Sequence, residues 1–331
     1  MKGCKFDIGM MVLLAGVLLV GCSHDADLTL RSEIAVQTGV TGLQQNRIRS
    51  VNNIDSLRLK DIKIDAYFHD TETKYLDGVK LHYTGTTPPW QFWNGAQVHY
   101  YWPIEGSVYD PAGTPITVSS LDFVGYCPFT KPDYITSTSY NHSTGASFTC
   151  NVADSMTNAT QKDMQEYVIA VLKNQTPATQ SAAGGALPLT FKHPFALIKF
   201  VIAEGSGEHV RVDSIGIGEL YTGATCAYNG GSSMTWSGHT GSATLSIKPA
   251  HPLKYNTEYT VSDTMMVIPA TYVGTKTLTV KGTWDEWTNS VTKEISADVA
   301  INWQPGYIYT YNLTVTKYAL KVDVQKFTEQ W

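Results

Sequence analysis

The chain has 331 residues, with 24 Lys and Arg against 29 Asp and Glu, a formal net charge of -5. That balance excludes a nucleic-acid partner, which needs clustered cations. Apolar residues at 43% exclude a disordered chain, and charged residues at only 16%, with 19 Tyr, 27 Gly and abundant Thr, match extracellular β-sheet. The length suits two domains of ordinary size.

Lys2 and Lys5 precede an almost wholly apolar run from Ile8 to Val20. The run is too short to span a bilayer as a helix and ends in small residues, the pattern of a secretory signal. Cys22 directly after Leu19-Val20-Gly21 is the bacterial lipobox pattern. Residues 1–21 are therefore expected to be removed and Cys22 to carry acyl chains, several of which anchor a protein stably. The expected location is a membrane outside the bacterial cytoplasm.

Leu28, Leu30, Ile34, Val36 and Val40 share one parity; Thr29, Arg31, Glu33 and Gln37 share the other. This alternation predicts a strand with one buried face. Residues 42–50 are polar and carry Arg47 and Arg49, which predicts an exposed loop open to proteolytic nicking. One cut there would detach one strand.

Alternation resumes at Ile62, Ile64, Ala66 and Phe68. After a turn-rich break at Thr84 to Pro89 comes an aromatic cluster with Trp90, Trp93 and Trp102. Core packing explains such a cluster; the alternative is a stacking platform for sugar rings. Leu121 to Tyr126 predicts a strand, Tyr134 to Ser147 a polar loop, and Val168 to Leu172 a buried strand. Lys173 to Leu187 turns to Gln, Thr, Ser, Ala and Gly and is expected to be a linker, dividing a first domain over 50–185 from a second over 186–331.

Leu187 to Ile202 reads as one central strand, apolar on both faces from Phe195 on. His193 lacks partners at ligand spacing and reads as structural. Val210 to Gly218, Thr244 to Ile247, Thr257 to Val261, Met265 to Ile268 and Thr277 to Thr283 predict further short strands. Trp303-Gln304-Pro305-Gly306 is a turn, followed by strands with Tyr307, Tyr309, Tyr311, Leu313 and Val315 and then Leu320, Val322 and Val324 on one parity. Strands in this density, without helices between, imply antiparallel sheets.

Of five cysteines, Cys4 lies in the leader and Cys22 takes lipid, leaving Cys127, Cys150 and Cys226. At most one bridge forms; Cys127 with Cys150 is the expected pair, and three reduced thiols the alternative. No CxxC, nucleophile elbow, metal motif or phosphate loop is present, so neither catalysis nor a metal or cofactor is expected.

Taken together, the lipobox at Cys22, Tyr101-Trp102-Pro103, Phe191 to Ile202, Val267-Ile268-Pro269, Trp303 to Leu313 and Val322 to Trp331 resemble the fimbrillin family of Bacteroidales lipoprotein pilins. The resemblance implies an all-β fold of two tandem transthyretin-like antiparallel β-sandwiches. It implies a fimbrial subunit for cell adhesion, lipid-anchored as a precursor at the outer membrane and assembled outside the cell with other fimbrillin subunits. An arginine-specific protease would cut after Arg47 or Arg49, with Arg31 and Arg58 as other positions, and release the lipidated segment 22–49. Leu320, Val322, Val324 and Phe327 would belong to the strand donated to the next subunit. A tip or anchor subunit, or a glycan-binding surface lipoprotein, is the alternative.

Overall fold

The computed structural model describes residues 32–40, 58, 60–104, 109, 113–115, 120–152, 165–249, 251–254, 256–262, 264–286 and 289–327. The first half runs β1 (Val36–Val40), β2 (Ile62–Phe68), β3 (Lys74–Tyr83), β4 (Trp90–Phe92), β5 (Leu121–Cys127), β6 (Ile135–Asn141), β7 (Gly145–Asn151), β8 (Val168–Gln175), a short helix α1 (Pro177–Ala182) and β9 (Leu187–Phe191). The second half runs β10 (Ala196–Glu204), β11 (Val210–Leu220), β12 (Gly223–Tyr228), β13 (Thr235–Thr240), β14 (Ala243–Ile247), β15 (His251–Leu253) and β16 (Tyr259–Thr260). It closes with β17 (Met265–Val267), β18 (Thr271–Glu286), β19 (Asn289–Asn302), β20 (Ile308–Val315) and β21 (Leu320–Phe327). The protein is all-β, as its composition and alternation predict.

An antiparallel sheet in the order β4-β3-β2-β5-β8 forms the middle layer of the first half. One of its faces carries Ile64, Phe68, Leu121, Phe123 and Ala170, which pack with Ile34, Val36, Leu187, Leu189 and Phe191 of the small β1-β9 sheet. The opposite face carries Tyr67, Val124, Tyr126 and Ile169, which pack with Tyr140, Phe148 and Cys226. Cover on both faces is why β5 is buried along its whole length. Gly125 makes the first contact possible: a Cβ there would lie 2.6 Å from Leu189 Cδ2 and 2.8 Å from Phe191 Cζ.

In the second half β10 pairs in parallel with β20, from Leu197↔Ile308 to Glu204↔Val315, and β20 pairs antiparallel with β21. A second sheet, ordered β14-β11-β18-β19, shares its core. The halves are joined by hydrogen bonds as well as by chain, because β12 pairs with β7 from Gly223↔Asn151 to Tyr228↔Ala146 in the sheet β13-β12-β7-β6.

Three expectations are corrected. Tyr134 to Ser147 is not a loop; it holds β6 and the start of β7, where Thr, Ser and Tyr suit a strand with one wet face. Lys173 to Leu187 is not a linker. It contains the end of β8, the helix α1 and the first residue of β9. α1 starts from a capping box in which Thr176 and Thr179 exchange side-chain to backbone bonds at 3.1 and 2.8 Å, with Pro177 in its first turn. Leu187 to Ile202 is two strands in two sheets, broken at His193-Pro194, because proline cannot donate to a ladder.

Candidate functional site

The leading segment is built into the first half. Its start runs antiparallel to the Tyr100–Trp102 stretch: the Ile34 N–H donates to the Tyr100 carbonyl at 2.7 Å, and the Trp102 N–H to the Ser32 carbonyl at 3.0 Å. Its end lies parallel to β9, from Val36↔Leu187 to Val40↔Phe191, and the Leu187 N–H donates to the Ala35 carbonyl at 2.8 Å. Ile34 is 1% exposed and Val36 4%, while Glu33 and Gln37 face solvent, as the parity predicts. Leu81, Trp90 and Phe92 pack over them, leaving a gap of about 20 Å³, room for little more than one water. Thr38, on the same parity, buries a hydroxyl that makes no hydrogen bond among the described residues.

A clasp invisible in the sequence pattern completes this seat. Gln180 of α1 is buried among the strands; its Nε2 donates to the Glu33 carbonyl at 2.8 Å and its Oε1 accepts from the Ala35 N–H at 3.2 Å. The same oxygen accepts from Trp102 Nε1 at 3.3 Å. Gly184 and Gly185, at φ 86 and 92, let the chain reverse from α1 into β9.

Among the described residues β21 forms an outer strand of its sheet, paired with β20 alone. Leu320 is buried and Val322 partly so against the second-half core, whereas Val324 is 40% exposed. Phe327 pairs with Ile308 through its backbone. Leu28, Leu30, Cys22, Arg31, Arg47 and Arg49 lie outside the described residues, and Val40 is described through its backbone alone. Arg58 sets its guanidinium over the Tyr83 ring at 5.0 Å.

Other candidates resolve as core. Trp90 and Trp102 are each 5% exposed, so neither face is open to a sugar. Cys127, Cys150 and Cys226 are all free and buried, which overturns the expected Cys127–Cys150 bridge. Burial pushes the Cys150 thiol up to about 12 and raises the other two as well, keeping all three protonated. His193 Nδ1 lies 2.9 Å from both carboxyl oxygens of buried Glu166, tying the start of β8 to the end of β9. Burial raises the Glu166 carboxyl above its usual 4.5, and the neighbouring His193 ring opposes that shift. A pocket of about 350 Å³ opens beside His193, lined by Lys192, Tyr228, Met234, Gln304 and Tyr307. Among the described residues, no three His, Cys, Asp or Glu converge on a metal position, and no helix is long and apolar enough to cross a membrane.

Layered, mostly antiparallel sheets with residues 32–40 packed against the first core define an all-β protein. The chain belongs to the fimbrillin-like family, whose sequence profile it matches over residues 62–331. Its fold is similar to that of a candidate cell adhesion protein from Bacteroides uniformis, at 16% identity and TM-score 0.51 over 89% of this chain and 97% of that one. A candidate cell adhesion protein from Parabacteroides distasonis is similar at 12% identity and TM-score 0.52, over 89% and 96%. The tip fimbrial protein Mfa3 from Porphyromonas gingivalis, truncated at its C-terminus, aligns at 9% identity and TM-score 0.42 over 82% and 94%. No curated protein matches the sequence.

Proposed function

We propose that the chain is a fimbrial subunit, exported as a lipoprotein precursor acylated at Cys22, cut after Arg47 or Arg49 and assembled outside the cell by strand exchange in the service of adhesion. Membership of the fimbrillin-like family supports a fimbrial, cell-surface role without catalysis and association with other fimbrial subunits. The observation that carries the finer reading is the seat itself. Residues 32–34 are hydrogen-bonded to Tyr100–Trp102 on one edge, residues 33–40 to Gln180 and β9 on the other; together they bury Ile34 and Val36, and they stand ahead of the two arginines in the chain. Their loss would leave unpaired backbone groups on β9 and Tyr100–Trp102 beside an apolar trough, a surface that invites another strand. β21, an outer strand with Leu320, Val322 and Val324 on one parity, is the proposed donor, extended through Phe327. Such head-to-tail contacts do not close and so build filaments. Two transthyretin-like sandwiches are the proposed layout, with the boundary proposed near His193-Pro194 in place of 185/186, a shift supported by the pairing of β9 with β1.

Limited trypsin treatment of the purified precursor tests this. A stable core beginning at Ile48 or Ser50 that then forms ladders of oligomers is expected. A core beginning elsewhere and staying monomeric would overturn it. Burial of Trp90 and Trp102 weighs against the glycan-platform alternative.

A further inference from the structure

The clasp around Glu33 and Ala35 has a particular geometry. In a parallel ladder each bridging residue donates its N–H to one strand position and accepts from a position two further on. Leu187 makes the first such bridge of β9, around Val36. The next bridge upstream, around Ile34, would need a peptide group two residues before Leu187, at Gly185. That residue has turned away, with φ 92, to connect to α1. Gln180 supplies both missing bonds: its Nε2 donates to the Glu33 carbonyl at 2.8 Å, and its Oε1 accepts from the Ala35 N–H at 3.2 Å. A side-chain amide thus continues the β9 ladder by one bridge where the backbone cannot. Trp102 Nε1, donating to the same oxygen at 3.3 Å, fixes which end of the amide faces which partner.

We infer that Gln180 sets the register of whatever strand fills the seat, by reading main chain rather than side chains, and that its partner in the assembled state is a strand from a second copy of this chain. The inference rests on the strand-exchange reading above. Gln180 sits on α1, well after the arginines in the chain, so it stays behind when residues ahead of them leave. The vacated amide then presents one donor and one acceptor at fixed spacing inside an apolar trough. An incoming strand satisfies both only if an exposed-parity residue stands where Ala35 stood. A slip by one residue would offer backbone groups pointing the opposite way and would turn the apolar side chains out of the trough. The amide therefore rejects the wrong register independently of side-chain fit.

The test uses the arginine-processed protein, freed of its leading segment, and synthetic peptides of residues 28–40. The unmodified peptide should bind; failure of the parent protein to bind it sinks the strand-exchange reading, and this inference with it. Backbone N-methylation at Ala35 replaces the N–H that Gln180 accepts with a methyl and should weaken binding about 10- to 100-fold, the cost of stranding a buried polar group. In Gln180→Ala the same methylation should cost less than about twofold, because the partner is already gone. Equal losses in both proteins, or an Ala35 methylation that the parent tolerates, would overturn the assignment. The second outcome needs no variant, so it stands even if Gln180→Ala folds poorly.

Discussion

β1 pairs with β9 over five positions, Val36 to Val40, and β21 pairs with β20 over eight, Leu320 to Phe327. The segment with the shorter ladder nevertheless carries the deeper burial: Ile34, just ahead of that ladder, and Val36, its first position, are sealed under Leu81, Trp90 and Phe92, while Val324 is 40% exposed. Residues 32–34 are also bonded on a second edge, to Tyr100–Trp102, against one edge for β21 among the described residues. Ladder length and anchoring strength are therefore separate properties. The segment proposed to leave is the one whose departure costs most, and that cost is the driving force for filling the vacancy. The strand proposed to be donated is held by a ladder it could remake elsewhere.

Truncating the anchors should separate the two regions most sharply. Ile34→Ala is expected to cost about 2–4 kcal/mol of local stability through lost burial and a residual cavity. Val324→Ala should cost below about 0.5 kcal/mol, as exposed positions do. Hydrogen exchange of the 32–40 and 320–327 amides reads both, and equal effects would break the comparison. Next comes Gly125→Ala, whose new methyl meets Leu189 and Phe191 beneath the seat. Overpacking there should cost about 1–3 kcal/mol in denaturant unfolding and loosen β1 and β9 while sparing β20 and β21.

A smaller change runs the other way. Thr38→Val replaces a buried hydroxyl that has no partner among the described residues with a methyl of the same shape, and should tighten the leading strand by about 1 kcal/mol. In the processed protein, slower release of the cut segment would show it. The smallest effect is pH-dependent. Glu166 is raised in the folded state by burial, so the fold holds its proton more tightly than the unfolded chain does. Its contribution is greatest below the usual 4.5 and is lost as pH rises through the raised value. Glu166→Gln should flatten that part of the stability profile, seen as a parent-minus-variant difference that shrinks toward acid. Because Glu166 and His193 brace β8 and β9, exchange in β9 should respond and exchange in β21 should not.

The local signals were legible where one residue type repeats at one spacing. The parity of Ile34 and Val36 read directly as the buried face it has, and the alternation through β2, β20 and β21 read as strands, but not as burial of β2 on both faces nor as exposure of Val324. Where polar residues dominate, the same reading misplaced β6 as loop and α1 as linker, although the capping pair Thr176 and Thr179 was there to be found. The aromatic run could not by itself say whether Trp90 and Trp102 face a core or a ligand; burial decided that.

From sequence alone follow the all-β class, the strand character of the leading segment and the family resemblance, because periodicity and turn chemistry are local and survive in a one-dimensional string. Tertiary structure alone decided that β9 joins β1 and not β10, that β7 and β12 knit strands of the two halves into one sheet, that the three thiols stay free as core, and that Gln180 stands in for a missing peptide. Pairing partners and side-chain bonds between residues 145 positions apart depend on how the whole chain closes, and no window of sequence contains that information.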